Sequence, residues 1–268
     1  MNRLVTSLAA FTALTAAASA ADLPRRAPPP VFVPVPVFTW TGAYFGINAG
    51  YITSTRDTVT TVGVFPVNTG VINGNRPGFL PLPKDGFTGG GQVGYNYQFT
   101  PGSGVVVGIE ADAAYTDLER SRAFRGNAGG ITIARQTQDY LGTVRGRLGY
   151  AFDRTLVYAT GGFAYGDVNN RVVFENAAGT PTFFGNRSRT ETGYAAGAGI
   201  EYALPTDSFL NFFKSSAVTV KAEGLYYDLG RRSIAVAALP GSTGAYVSRF
   251  QNEGVLGRVG LNYKFGTY

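Results

Sequence analysis

The chain has 268 residues, of which 44% are hydrophobic and only 15% charged, with a formal charge of +6 and neither Cys nor His. The missing Cys excludes a disulfide framework, a thiolate metal site and a lipid-modified N-terminal Cys. The missing His removes the commonest general base and metal ligand, so the composition argues against an enzyme and implies no cofactor.

Mean hydropathy is +0.01 despite 16 Tyr and 19 Phe, and Gly reaches 37. Helical membrane spans need roughly 20 nearly uninterrupted apolar residues, and the chain after residue 20 has no such run. A sheet that alternates apolar and polar positions keeps its average hydropathy near zero. Basic residues are scattered rather than gathered into one patch, which argues against nucleic acid.

In chain order, residues 1–20 read as a cleaved secretory signal. Arg3 supplies the positive start, Leu4 to Ala17 the apolar stretch, and Ala18-Ser19-Ala20 the cleavage site. Residues 21–39 form a Pro-rich periplasmic arm, with prolines at 24, 28, 29, 30, 34 and 36 that forbid helix. The arm is either a spacer or a docking segment.

From Trp40 onward, eight runs with a period of two predict an all-β, antiparallel transmembrane barrel over 40–268. The runs are 41–52, 86–99, 105–116, 138–152, 155–166, 190–203, 217–229 and 253–265. In the fifth, Leu156 and Tyr158 share one phase while Phe163 and Tyr165 take the other, and a bulge at Gly161-Gly162 would reconcile them. Short periplasmic turns are expected at Thr100 to Gly104 and at Asp153-Arg154, with a longer one over Leu204 to Ser216 carrying Phe209, Phe212 and Phe213. Long extracellular loops are expected over 53–85, 117–137, 167–189 and 230–252. Stretches such as Thr58–Val67 and Arg171–Phe174 extend strands beyond the membrane, and a ten-strand count using part of the first loop is the alternative.

One face of these runs carries Glu110, Asp112, Arg145, Arg147, Glu201, Lys221, Glu223 and Arg258. An Arg or Lys facing mid-bilayer lipid costs roughly 2–4 kcal/mol, so this face turns inward and its charges are expected to form an internal network. Aromatic residues cluster at the run ends. Trp40, Phe99, Tyr150, Phe152, Tyr158, Tyr202, Tyr263 and Phe265 are expected in the periplasmic girdle, and Tyr51, Phe87, Tyr115, Tyr140 and Tyr194 in the outer one. The final run, with Gly260, Tyr263 and Phe265, has the pattern of a signal for barrel-assembly machinery. Cations of the outer loops, Arg120, Arg122 and Arg125 among them, suit lipopolysaccharide anions.

Five segments in order carry a family likeness: Trp40-Thr-Gly-Ala-Tyr-Phe-Gly-Ile-Asn-Ala-Gly50, Val144-Arg-Gly-Arg-Leu-Gly-Tyr150, Tyr158-Ala-Thr-Gly-Gly-Phe-Ala-Tyr-Gly166, Lys221-Ala-Glu-Gly-Leu-Tyr-Tyr-Asp-Leu-Gly230 and Val259-Gly-Leu-Asn-Tyr-Lys-Phe265. With the Ala-Asp-Leu-Pro start at 21–24, the chain resembles the RopB-type outer-membrane immunogenic proteins of rhizobia and brucellae. The resemblance implies a small porin-like barrel, abundant in the outer membrane and exposed to immune recognition. Two functions follow as expectations: a structural barrel that supports the envelope and displays its surface, or a narrow diffusion pore for small solutes.

Overall fold

The computed structural model describes residues 37–56, 58–205 and 207–266, so the expected signal and most of the Pro-rich arm lie outside the described residues. The strands are β1 (Gly42–Arg56), β2 (Thr58–Val64), β3 (Phe79–Pro81), β4 (Asp85–Gln98), β5 (Ser103–Arg125), β6 (Ile131–Phe152), β7 (Thr155–Glu175), β8 (Pro181–Ala203), β9 (Ala217–Ala238) and β10 (Ala245–Phe265). One short helix, α1 (Thr69–Ile72), precedes β3.

All ladders are antiparallel, and β1 pairs with β4 on one side and with β10 on the other. Eight strands, β1 and β4 to β10, therefore close a ring with no free edge. The two extra strands come from the first long excursion: β2 joins the far end of β10, and β3 joins β2.

The strands reach well past the eight alternating runs. β6 has 22 residues, which at roughly 3.3 Å per residue and a tilt near 40° rise about 55 Å, against a hydrocarbon layer of about 30 Å. Most of the excursions expected as loops are thus strand, turned by short hairpins at 126–130, 176–180 and 239–244. Bulges mark where the strands leave the apolar belt, between Tyr115 and Leu118 on β5 and between Thr137 and Leu141 on β6. Gly230, at φ +83°, sits beside a third irregularity where β9 meets β10.

The β7 alternation runs unbroken past Gly161-Gly162, because Arg145↔Gly162, Gly146↔Gly161 and Arg147↔Thr160 pair in strict succession. No bulge reconciles the two aromatic phases there. Leu156 and Tyr158 point into the ring, and Phe163 points out. Trp40 is likewise corrected: it is buried inside the end of the ring, not on the girdle, and its indole Nε1 donates to the Asp153 carbonyl at 3.0 Å. Phe99, Tyr150, Phe152, Tyr202 and Phe265 do face outward near the turn end, as do Tyr51, Phe87, Tyr115, Tyr140 and Tyr194 at the opposite level.

Candidate functional site

The interior of the ring is built in layers. At the turn end Phe38, Trp40, Val106, Leu156 and Ala203 form an apolar plug. Next comes a layer of charge, then a second apolar layer that includes Ile52, Leu118, Leu141, Tyr227 and Leu256. The extensions enclose their own core, in which Leu80, Phe174, Phe183, Val236 and Phe250 pack around Tyr246. Phe174 and Phe183 meet the Tyr246 ring at 4.8 and 5.0 Å. Arg76 reaches over this core to the Ile131 and Glu175 carbonyls, both at 3.0 Å, and clasps the tips of β6 and β7. Burial raises the Tyr246 hydroxyl above its ordinary pKa, opposed by the neighbouring Arg76 charge.

The structure brings all eight charged residues of the inward face together. Three acid–base pairs are set by strand register alone: Glu110↔Arg145, Glu201↔Lys221 and Glu223↔Arg258 stand directly opposite one another on neighbouring strands. Side-chain contacts then join neighbouring strands and cross the lumen. Arg145 meets Glu110 at 2.7 Å, Asp112 at 2.9 Å and Glu223 at 2.9 Å. Lys221 Nζ lies 2.9 Å from Glu110, and Arg258 lies 3.0 Å from Asp112 and 2.7 Å from Glu223. Arg147 holds Glu201 at 2.7 Å. Four carboxylates face four cations, so the cluster is formally neutral, and every member is buried.

Glycines make the room. Arg145 stands opposite Gly162 on β7, Lys221 opposite Gly260 on β10, and Arg258 opposite Gly50 on β1. A Cβ at Gly260 would lie 3.2 Å from Lys221 Cε and 3.1 Å from Gln92 Nε2. Gly260 thus packs the lumen, whereas Tyr263 and Phe265 project outward, where Tyr263 donates to the Leu210 carbonyl at 3.0 Å. In the Leu204–Ser216 turn, Phe213 packs edge-on against Tyr263 at 4.7 Å while Phe209 and Phe212 stay exposed.

Two tyrosines belong to the charge layer that sequence reading left out of it. Tyr44 donates to Glu110 Oε2 at 2.8 Å and accepts from Arg147 at 2.6 Å. Tyr158 lies face-on under the Arg147 guanidinium, 3.9 Å from ring centroid to Cζ, and its hydroxyl donates to Glu223 at 3.3 Å. The signal for Tyr44 was its parity, shared with Gly46, Asn48 and Gly50 on the inward face of β1.

The three expected loop cations sit on the β5 extension. Arg120 donates to the Pro83 carbonyl at 2.9 Å and pairs with Asp85, and Arg122 approaches the Pro81 carbonyl at 3.4 Å. Both tie the 81–85 segment to β5, and Arg125 is exposed, with no side-chain partner among the described residues. Other cations gather on the outer face of β6, β7 and β8. Arg135 and Arg171 are direct cross-strand partners there.

A closed antiparallel ring with an apolar, aromatic-rimmed outside and a polar, charge-paired inside defines an outer-membrane β-barrel. The chain belongs to the outer membrane protein beta-barrel domain family, which matches residues 6–265. It is 35% identical to the 31 kDa outer-membrane immunogenic protein of Brucella melitensis biotype 1 over 98% of both chains. It is 26% identical to the 25 kDa outer-membrane immunogenic protein of Brucella abortus biovar 1 over 99% of both. Among solved structures, the outer membrane protein OprG from Pseudomonas aeruginosa aligns over 85% of this chain and 97% of its own, with a TM-score of 0.48 and 16% identity. The protein resides in the outer membrane; by the general rule for such barrels the short turns face the periplasm and the long extensions the outside.

Proposed function

We propose that this protein is a closed structural barrel that braces the outer membrane and displays its strand extensions at the cell surface, rather than a diffusion pore or an enzyme. The observation that carries the reading is the filled lumen, in which Trp40, Arg145, Lys221 and Glu110 are each at most 1% exposed. Eight strands leave an interior just wide enough for side chains to fill, and here apolar layers lie on both sides of a neutral charge cluster. Those charges are committed to one another, and a further lumen cation, Lys264, lies at the turn end against the Phe38 ring of the plug. The tall extensions, with a core of their own, suit display to immune recognition.

Planar-bilayer recording of the purified, folded protein tests this. No lasting conductance step is expected from the native barrel. The double variant Arg145→Ala plus Arg147→Ala, which empties the charge layer, is expected to leak. Stable single-channel steps from the native protein would return the pore reading.

A further inference from the structure

Above the aromatic belt, β6, β7 and β8 present Arg135, Arg171 and Asn186 side by side, since Arg135 pairs with Arg171 and Arg171 with Asn186 in register. Thr137 and Asn169, the next outward pair, lie below them. Together with Phe184 these side chains line a hollow of about 280 Å³. Like charges placed directly opposite on neighbouring strands destabilise a sheet, so this pairing is not explained by the fold. Arg135 is partly neutralised by Glu119 at 2.6 Å, with both side chains about half exposed. Arg171 has no acidic partner within 4 Å among the described residues, and its guanidinium is held over the Phe184 ring at 5.3 Å.

We infer that this hollow is a binding subsite for a phosphorylated or otherwise acidic sugar. Two guanidinium forks flanked by hydroxyl and amide donors are what an oxyanion with several acceptor oxygens requires. The height supports a sugar over a lipid headgroup. Arg135 stands five residues beyond Tyr140 along β6, on the order of 10 Å above the belt at roughly 3.3 Å per residue and a tilt near 40°. The headgroup layer is only about 6 Å deep on each side, so the guanidinium groups lie beyond it. The subsite lies on the outer wall, and the inference holds whether or not the lumen conducts.

Inositol hexakisphosphate is a soluble probe, and lipopolysaccharide tested with and without its phosphates separates the two sources of such a sugar. The native barrel is expected to bind the soluble probe with an affinity that falls as salt rises. Arg135→Gln plus Arg171→Gln should weaken it about tenfold, while Arg56→Gln, which removes one charge from the β1 side, should change it by about twofold at most. Glu119→Gln, which frees Arg135, should tighten binding, and that gain does not depend on the double variant folding. A folded double variant that binds like the native protein, a loss equalled by Arg56→Gln, or a native protein that does not bind would each overturn the inference. If lipopolysaccharide binding falls on dephosphorylation, the sugar belongs to the cell's own glycolipid. If only the soluble probe depends on the arginine pair, the ligand is a free polyanionic saccharide.

Discussion

The Tyr158 hydroxyl lies where a side chain on Gly199 would begin, so that a Cβ at Gly199 would stand 2.5 Å from it. Glycine on β8 thus lets a tyrosine on β7 lie flat over the neighbouring strand, with its ring under Arg147 and its hydroxyl toward Glu223. Tyr44 does the same over Gly94, where the corresponding distance is 2.3 Å. Gly199→Val is expected to displace Tyr158 and to destabilise the barrel by about 1–3 kcal/mol, the usual cost of overpacking. Denaturant unfolding in detergent measures this. Gly224→Val is the matched control, because nothing lies within 4 Å of a Cβ there and it should be near neutral.

Arg145 touches three carboxylates, two more than its single charge neutralises. Removing it leaves Glu110, Asp112 and Glu223 short of one positive charge in a buried site. Arg145→Ala is therefore expected to cost about 3–5 kcal/mol, whereas Arg135→Ala on the outer wall should cost under about 1 kcal/mol. Compared by urea midpoint, equal effects for the two would mean that the lumen is hydrated enough to screen the cluster.

The direction of the charged face was legible in the sequence because one physical term dominates it. A slipped register would place Glu110, Arg145, Lys221 and Arg258 in hydrocarbon, at a cost no strand propensity offsets. Aromatic residues carry no such penalty, since a tyrosine suits both the membrane rim and a lumen with a partner for its hydroxyl. That ambiguity explains why Trp40 and Tyr158 read as girdle residues and Tyr44 went unassigned. The extension of β6 was hidden by a bulge, whereas that of β7 was legible at Arg171–Phe174. The extra residue at 137–141 on β6 reverses that strand's inward–outward parity, from Arg145, Thr143 and Leu141 to Gln138, Gln136 and Ala134. The alternation therefore reads as ending where the strand in fact continues, whereas β5 keeps its phase through Ala114, Thr116 and Leu118.

One stretch of the extension wall is unzipped between β8 and β9. Between Phe184↔Ala237 and Tyr194↔Asp228, β8 and β9 share no ladder pairs. Glu191 bridges the seam with side chains instead, pairing with Arg232 and lying 3.4 Å from Arg187. Amides of 186–192 that point toward β9 should exchange with solvent faster than those that pair with β7, and Glu191→Gln should speed them further. Hydrogen exchange read by mass spectrometry resolves this, and uniform protection across β8 would contradict an open seam.

Trp40 is the only tryptophan in the chain, which makes its burial readable by fluorescence. A girdle tryptophan touches lipid, and its emission is quenched by bromine atoms on the acyl chains. Trp40 instead packs edge-on against Phe38 at 5.4 Å and donates to the Asp153 carbonyl inside the periplasmic end of the ring. Reconstitution into brominated lipid should leave most of its emission intact. A Trp40→Phe background carrying Phe152→Trp supplies the comparison, because Phe152 faces outward at the same end and is 59% exposed. That variant should be quenched strongly. The replacement of Trp40 should itself lower stability by about 1–3 kcal/mol through the lost packing and the Asp153 carbonyl left without its donor. Quenching of native Trp40 as deep as that of the residue-152 probe would place the indole in lipid and leave the periplasmic end of the lumen without its plug.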